Sequence, residues 1–377
     1  MMKEYRICSR CIMDTSDPDI VFDENGYCNH CRAYLSRNAV YNLPAAERTR
    51  LLNEVVEEMK RRGHGKDYDC IIGVSGGVDS SFLAIKIKEL GLRPLAIHVD
   101  NGWNSDKAVG NIKRILQPLN IDLSTLVLNW KEFRELQLAF LKASTPDSEI
   151  PSDHAIVAAF YAACAKHGVG YCVNGINLKT EGIHVREWSQ GHLDGRYIKR
   201  VYKTITGKKL KQFPTIAVTR LVFNIVLHRP RNVFMLDYLD YDKQAAKKKL
   251  IEEFGWEDYG GKHYESVYTK FYQGWILPHK FGYDKRRMHL SSLICCGQLT
   301  REQALAEIAT PPYPPEFIES DKAFVAKKLG VTVPAFDAIM ALPKKRYMDY
   351  PNLQNHWIFG RGLDFYRVLK HKLHWVS

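Results

Sequence analysis

The sequence has no apolar run long enough to cross a bilayer. Its longest stretch outside the candidate strands, Thr215 to His228, carries Arg220 and falls short of the roughly 20 residues a spanning helix needs, so it reads as a core helix. The opening Met1-Met2-Lys3-Glu4-Tyr5-Arg6 has no signal-type apolar segment, and a cytoplasmic setting without membrane insertion is expected. There is no Gly-x-x-x-x-Gly-Lys-Ser/Thr, and Gly73, Gly76 and Gly77 do not fit Gly-x-Gly-x-x-Gly, which excludes a Walker site and a Rossmann dinucleotide site. No internal repeat is visible, which excludes solenoids and propellers. Residue 2 is Met2 rather than cysteine, and Gly170-Tyr171-Cys172-Val173-Asn174 misses a Gly-x-Cys-x-Gly elbow by its last residue. The chain therefore lacks the usual means of releasing ammonia from glutamine.

What is present is a globular composition, with 45% hydrophobic and 25% charged residues over 377 positions, enough for two or three structural units. The net charge of +12 favours polyanionic partners such as phosphates, nucleotides or nucleic acid, among which charge alone does not choose. Basic residues gather at Arg196 to Lys211, Lys243 to Lys249 and Lys280 to Arg287, where solvated faces are the alternative.

Four of the nine cysteines form two pairs, Cys8-Ser9-Arg10-Cys11 and Cys28-Asn29-His30-Cys31. Two such knuckles meeting around one ion make a closed tetrahedral thiolate site, which prefers structural Zn²⁺. A redox pair, an iron–sulfur centre, or His30 replacing one cysteine are the other chemistries open to them. Asp23-Glu24-Asn25-Gly26 reads as the tight turn of a zinc ribbon. Cys70, Cys164 and Cys172 fall on apolar positions, and the adjacent Cys295-Cys296 cannot form a knuckle, so all five read as packing.

Residues 1–35 thus form a four-cysteine module, and 36–66 a helical connector with Leu51, Leu52, Val55, Val56 and Met59 on one face. From Asp69, apolar runs alternate with helical segments: Cys70 to Val74, helix Asp79 to Leu90, Pro94 to Val99, helix Asp106 to Leu116, Leu123 to Leu128, helix Ser152 to His167, Tyr171 to Asn174. This alternation predicts an α/β core over 67–215, a doubly wound parallel sheet covered by helices. Residues 216–377 read as a mainly helical region for substrate or partner binding, with Thr300 to Gln303 as a capping box.

The loop Ser75-Gly76-Gly77-Val78-Asp79-Ser80-Ser81 follows the first strand and opens a helix. Paired glycines bring backbone N–H groups against phosphate oxygens, the helix N-terminus adds positive potential, and the serines offer hydroxyl donors. It resembles the pyrophosphate loop (PP-loop) of the N-type ATP pyrophosphatases, which form adenylates from ATP. That resemblance implies that Asp79 helps hold Mg²⁺ and that Asp100 lies near the adenosine. It also implies that Asn174-Gly175-Ile176-Asn177 is a second nucleotide-contacting segment, with Gly175 and Asn177 at the ligand.

The order of the four-cysteine module, this loop, Tyr259-Gly260-Gly261-Lys262-His263-Tyr264-Glu265-Ser266 and Phe281-Gly282-Tyr283-Asp284-Lys285-Arg286-Arg287 is similar to the bacterial N-acetyl sugar amidotransferases of the WbpG and PseA types. The resemblance implies conversion of an acetamido group on a nucleotide-activated sugar to an acetamidino group, in surface polysaccharide or nonulosonic acid pathways. It implies ATP as co-substrate and ammonia from a separate glutaminase subunit. Lys262, then Arg286 and Arg287, are the candidates for stabilising departing phosphates, and Glu265 or His263 for taking a proton from ammonia. His184 and His192, flanking Arg186 to Trp188, are candidates for a substrate lid. The rival is a tRNA-thiolating enzyme of the same superfamily, which commonly needs a Cys-x-x-Cys pair on the core; none is present.

Overall fold

The computed structural model describes residues 4–37, 40–217, 219, 230–260 and 264–356. Lys262, His263 and positions 218 and 220–228 of the expected core helix Thr215 to His228 lie outside them. Among the described residues no helix is long and apolar enough to cross a membrane.

The expected parallel α/β core is present, built on a five-stranded sheet. Its strands are β1 (Cys70–Gly73), β2 (Pro94–Asp100), β3 (Asp122–Val127), β4 (Tyr171–Val173) and β5 (Arg231–Val233). They run in the order β3-β2-β1-β4-β5, and every pairing is parallel. The strand order reverses between β1 and β4, and in open α/β sheets this reversal leaves a crevice at the carboxyl ends of the strands.

Helices Val78–Glu89, Asp106–Leu116 and Ile150–His167 stand where the sequence places them, within two residues. The connector helix Ala45–Gly63 buries Leu52, Val56 and Met59 against β1 and helix Val78–Glu89, while Leu51 and Val55 stay half-buried.

Three elements differ from expectation. β5 lies beyond the 67–215 span anticipated for the core; three residues of Arg231-Asn232-Val233 carry too little apolar pattern to read as a strand. β3 is not covered on both faces but is an open edge, with Leu123 and Val127 exposed. Helix Trp130–Ala143 was not anticipated, although Asn129 caps it by accepting from Glu132 N.

That helix, together with Gly195–Thr206 and the C-terminal segments, encloses an aromatic core that includes Phe133, Phe140, Tyr197, Phe271, Tyr272 and Phe336. Basic Arg196 to Lys211 is therefore only half solvated: Tyr197, Ile198, Val201 and Tyr202 point inward. The region after β5 is helical as expected, with Arg286–Cys295, Arg301–Ile308, Ile318–Leu329 and Val333–Met340, and the Thr300 capping box is formed.

β4 and β5 are tied beyond their ends by buried Asp237, whose carboxylate accepts from Leu178 N at 2.8 Å. Burial pushes the Asp237 carboxyl up to about 6. Unfolded, the same group ionises near 4, so the folded protein holds the extra proton between these values. Its contribution is full below about pH 4 and is lost as pH rises through 6. Asp237→Asn should match the native stability at pH 4 and exceed it by about 2 kcal/mol at pH 8 in urea unfolding; equal pH dependence of both proteins would contradict this.

Candidate functional site

The loop after β1 is built on close backbone approach. Gly76 has φ +81°, and a Cβ there would sit 2.2 Å from the Ala108 carbonyl oxygen. Ser75 Oγ lies 3.3 Å from Ser80 Oγ and accepts from Gly77 N at 3.2 Å, so the loop is braced by its own hydroxyls. Val78 and Ser81 are buried, and Ser81 N starts the helical ladder on Gly77 O. Trp256 Nε1 donates to Gly76 O at 2.9 Å and latches the loop from outside.

Several expected residues converge here. A Cβ on Gly175 would meet Ser80 N at 3.0 Å, so the segment after β4 lies directly on the start of the loop helix. Asn177 is buried, accepting from Thr180 N and donating to Gly175 O, so it positions Gly175. Asp100 accepts from Gly102 N at 2.8 Å and shapes the turn after β2. Glu265 is carried to the loop by backbone pairing: Ser105 N donates to Glu265 O and Val267 N to Trp103 O. A Cβ on Gly77 would have Tyr259 Oη at 3.2 Å and Glu265 Oε1 at 3.7 Å. Burial, then the charges of Glu265 and Asp79, pushes the Tyr259 phenol up, so it stays protonated and can donate.

Asp79 receives a hydrogen bond from Tyr241 and lies 3.7 Å from Lys243 Nζ. Neither partner was singled out from the sequence; Lys243 belongs to a stretch that reads equally as a solvated face. Trp256 and Tyr259 were likewise missed, as was His98, whose Nδ1 lies 2.9 Å from Val74 O at the carboxyl end of β1. The signal for Trp256 and Tyr259 was their place next to Gly260-Gly261.

Arg286 and Arg287 are not brought to the loop. Arg286 is bidentate on Asp284 and also donates to the Glu307 and Thr310 carbonyls. Arg287 pairs at 3.0 Å with buried Asp14 and donates to Ile12 O at 2.7 Å. These guanidinium groups hold chain segments together because buried carboxylates and carbonyls require partners. The 183–192 stretch is not a free lid: Ile183, Val185 and Trp188 are fully packed, His184 is exposed, and the His192 carbonyl is fixed 2.7 Å from His154 Nδ1.

The four cysteines converge, with all four sulfurs within 4.8 Å of one another. Cys8 and Cys31 Sγ are 3.9 Å apart, and Cys11 and Cys28 Sγ 3.7 Å. A tetrahedron with metal–sulfur bonds of about 2.3 Å has edges of about 3.8 Å, so the set fits one ion. An iron–sulfur cubane holds its cysteine sulfurs farther apart. Cys11 N donates to Cys8 Sγ and Cys31 N to Cys28 Sγ, as knuckles do. His30 is no ligand, because its Nε2 lies 2.6 Å from Asp17. The Asp23 to Gly26 turn closes as expected, with Gly26 N on Asp23 O. Cys295 Sγ approaches Cys31 Sγ to 3.7 Å and stands against the cluster from outside the two knuckles.

Residues 265–364 match the family described as LPS biosynthesis protein WbpG-like, C-terminal domain. No curated protein matches the chain. Among solved structures, an NMN synthetase from Francisella tularensis is similar at 14% identity and a TM-score of 0.29, covering 51% of this chain and 98% of its own. An NH3-dependent NAD synthetase from Campylobacter jejuni, in complex with nitrate, is similar at 12% and 0.34, covering 80% and 99%. A U34-tRNA thiolase from Methanococcus maripaludis with its [4Fe-4S] cluster is similar at 12% and 0.32, covering 90% of each.

Two outcomes follow from this geometry. Gly76→Ala places a side chain on a carbonyl at positive φ, and ATP affinity by calorimetry should fall at least about tenfold with metal content unchanged. Elemental analysis should find one metal ion per chain, lost in Cys11→Ser and kept in Cys295→Ser; loss in both would make Cys295 a ligand.

Proposed function

We propose that this chain, which carries a WbpG-like C-terminal domain, is the ATP-dependent synthetase subunit of an amidotransferase acting on an acetamido group of a nucleotide-activated sugar. The observation that carries the reading is that the matched region begins at Glu265, the residue whose carboxylate stands over Gly77 of the phosphate loop. The matched region thus contributes Glu265 to the loop, while Tyr241, Lys243, Trp256 and Tyr259 precede it in the chain.

The loop amides and Lys243 would hold the β and γ phosphates of ATP while the amide oxygen attacks the α phosphorus and pyrophosphate leaves. Mg²⁺ at Asp79 would neutralise phosphate charge. Ammonia then adds at the imidate carbon, AMP departs with the former amide oxygen, and Glu265 takes the proton lost from nitrogen. Tyr259, protonated and next to Glu265, orients that carboxylate. Lys262 and His263 remain candidates in the same segment. The four-cysteine site is read as structural zinc, and ammonia as the product of a separate glutaminase subunit. Sulfur transfer to tRNA is disfavoured by the core thiols: Cys164 and Cys172 Sγ are 3.3 Å apart but buried, and the neighbouring thiol with burial keeps Cys172 protonated.

Incubation with ATP, ammonium and acetamido nucleotide sugars should release AMP and pyrophosphate and yield a product about one mass unit lighter, since NH replaces O. Release that depends on tRNA instead would sink the reading. Glu265→Gln should lower kcat by about 100-fold with the affinity for ATP retained, as expected for loss of a base.

A further inference from the structure

A second concavity lies outside the phosphate loop, whose residues do not line it. It is a cavity of about 310 Å³ whose wall includes Trp188, Gln190, Tyr283, Asp147 and the run Lys344-Lys345-Arg346. We propose that it binds the sugar acceptor, with a pyranose ring in the cavity and its phosphate at Lys344 and Arg346. The proposal rests on the functional reading above and assigns the acceptor a location.

Four observations carry it. The volume suits a small molecule and is too small for a folded macromolecule's surface. Trp188 and Tyr283 stack at 5.1 Å with an 18° interplanar angle; Trp188 is fully buried, so the half-buried Tyr283 ring is the aromatic surface left for a sugar C–H face. Trp188 Nε1 and Gln190 Oε1 are buried and have no hydrogen-bond partner among the described residues, one donor and one acceptor in the same wall. Native interiors rarely leave such groups unpaired, and a polyhydroxylated ligand supplies both complements. Finally, Lys344, Lys345 and Arg346 are exposed at the rim and make no ion pair with any described carboxylate. Asp147 and Glu187 line the same cavity and Lys345 Nζ donates to Tyr350 Oη, which leaves Lys344 and Arg346 as the cations that fit a phosphate or diphosphate.

The cavity is joined to the loop by a short chain of contacts. Glu265 stands at Gly77, and Thr269, in the helix Val267–Phe271 that follows it, donates through its hydroxyl to Glu149. Glu149 N donates to Asp147 Oδ1 at 2.9 Å, and Asp147 lines the cavity.

The test is calorimetric titration of the full chain with UDP-N-acetylglucosamine in the absence of ATP, compared with the Lys344→Ala/Arg346→Ala variant. The altered residues are exposed, so folding is expected to persist, and ATP titration of the same variant checks this by showing unchanged affinity. One equivalent should bind the native chain and bind the variant at least about tenfold more weakly, with UDP alone weaker than the sugar form. Equal binding by both proteins, no binding to the native chain, or UDP binding as tightly as the sugar form would each overturn the assignment. Kinetics separate the two readings. Sugar-dependent AMP release with the same sugar KM in native and variant chains removes the cavity assignment alone, whereas tRNA-dependent release removes the functional reading.

Discussion

β1 pairs with β2 on one side and with β4 on the other, and this pairing decides where chemistry can sit. The chain leaving β1 turns toward β2 while the chain leaving β4 turns toward β5, so neither connection covers the carboxyl end of β1. The backbone that enters the gap has to come very close to its neighbours. Only glycine allows Gly76 to lie against Ala108 and Gly175 against Ser80, because any Cβ would need space that backbone atoms already hold. With side chains excluded, amide N–H groups and a helix N-terminus remain as the surface of the crevice, and that surface suits phosphate.

The loop does not hold its shape alone. Trp256, Tyr241, Lys243 and Tyr259 approach from a segment more than 150 residues later in the chain, and each contacts the loop through an atom that can donate a hydrogen bond. Donors placed around Gly76 O and the Asp79 carboxylate fix the direction in which the loop amides point. The α/β core supplies the crevice, and the later segment gives it rigidity and the carboxylate of Glu265.

Much of this was legible in the sequence because the relevant signals are local. The alternation of short apolar runs and helices gave four strands in place, and Cys-x-x-Cys spacing located a four-cysteine cluster that could hold a metal ion. The losses have equally physical causes. β5 is three residues long and gains its place only by pairing with β4, so no periodicity marks it. Lys243 looks like any solvated lysine until its helix N-terminus is placed beside Asp79. Arg286 and Arg287 fit the chemistry of phosphate binding equally well as the chemistry of satisfying carboxylates and carbonyls; only tertiary structure shows that Asp284 and Asp14 claim them. Glu265 lies at the loop because the backbone of Trp103 and Ser105 holds it, a constraint that composition does not display.

The same pairings explain why a metal module is attached to this enzyme-like core. Arg287 joins Asp14 to helix Arg286–Cys295, and Arg301 donates to the carbonyls of Cys8 and Cys11. The four cysteines share one apolar cluster with Ile183, Val185, Trp188 and Met288, and Tyr283 packs against it. Trp188 and Tyr283 also border the second cavity, so the cysteine cluster underlies that border. Val78 of the phosphate loop and its supports Trp256 and Tyr241 belong to a different apolar cluster. Loosening the cysteine site therefore disturbs the cavity border before the phosphate loop.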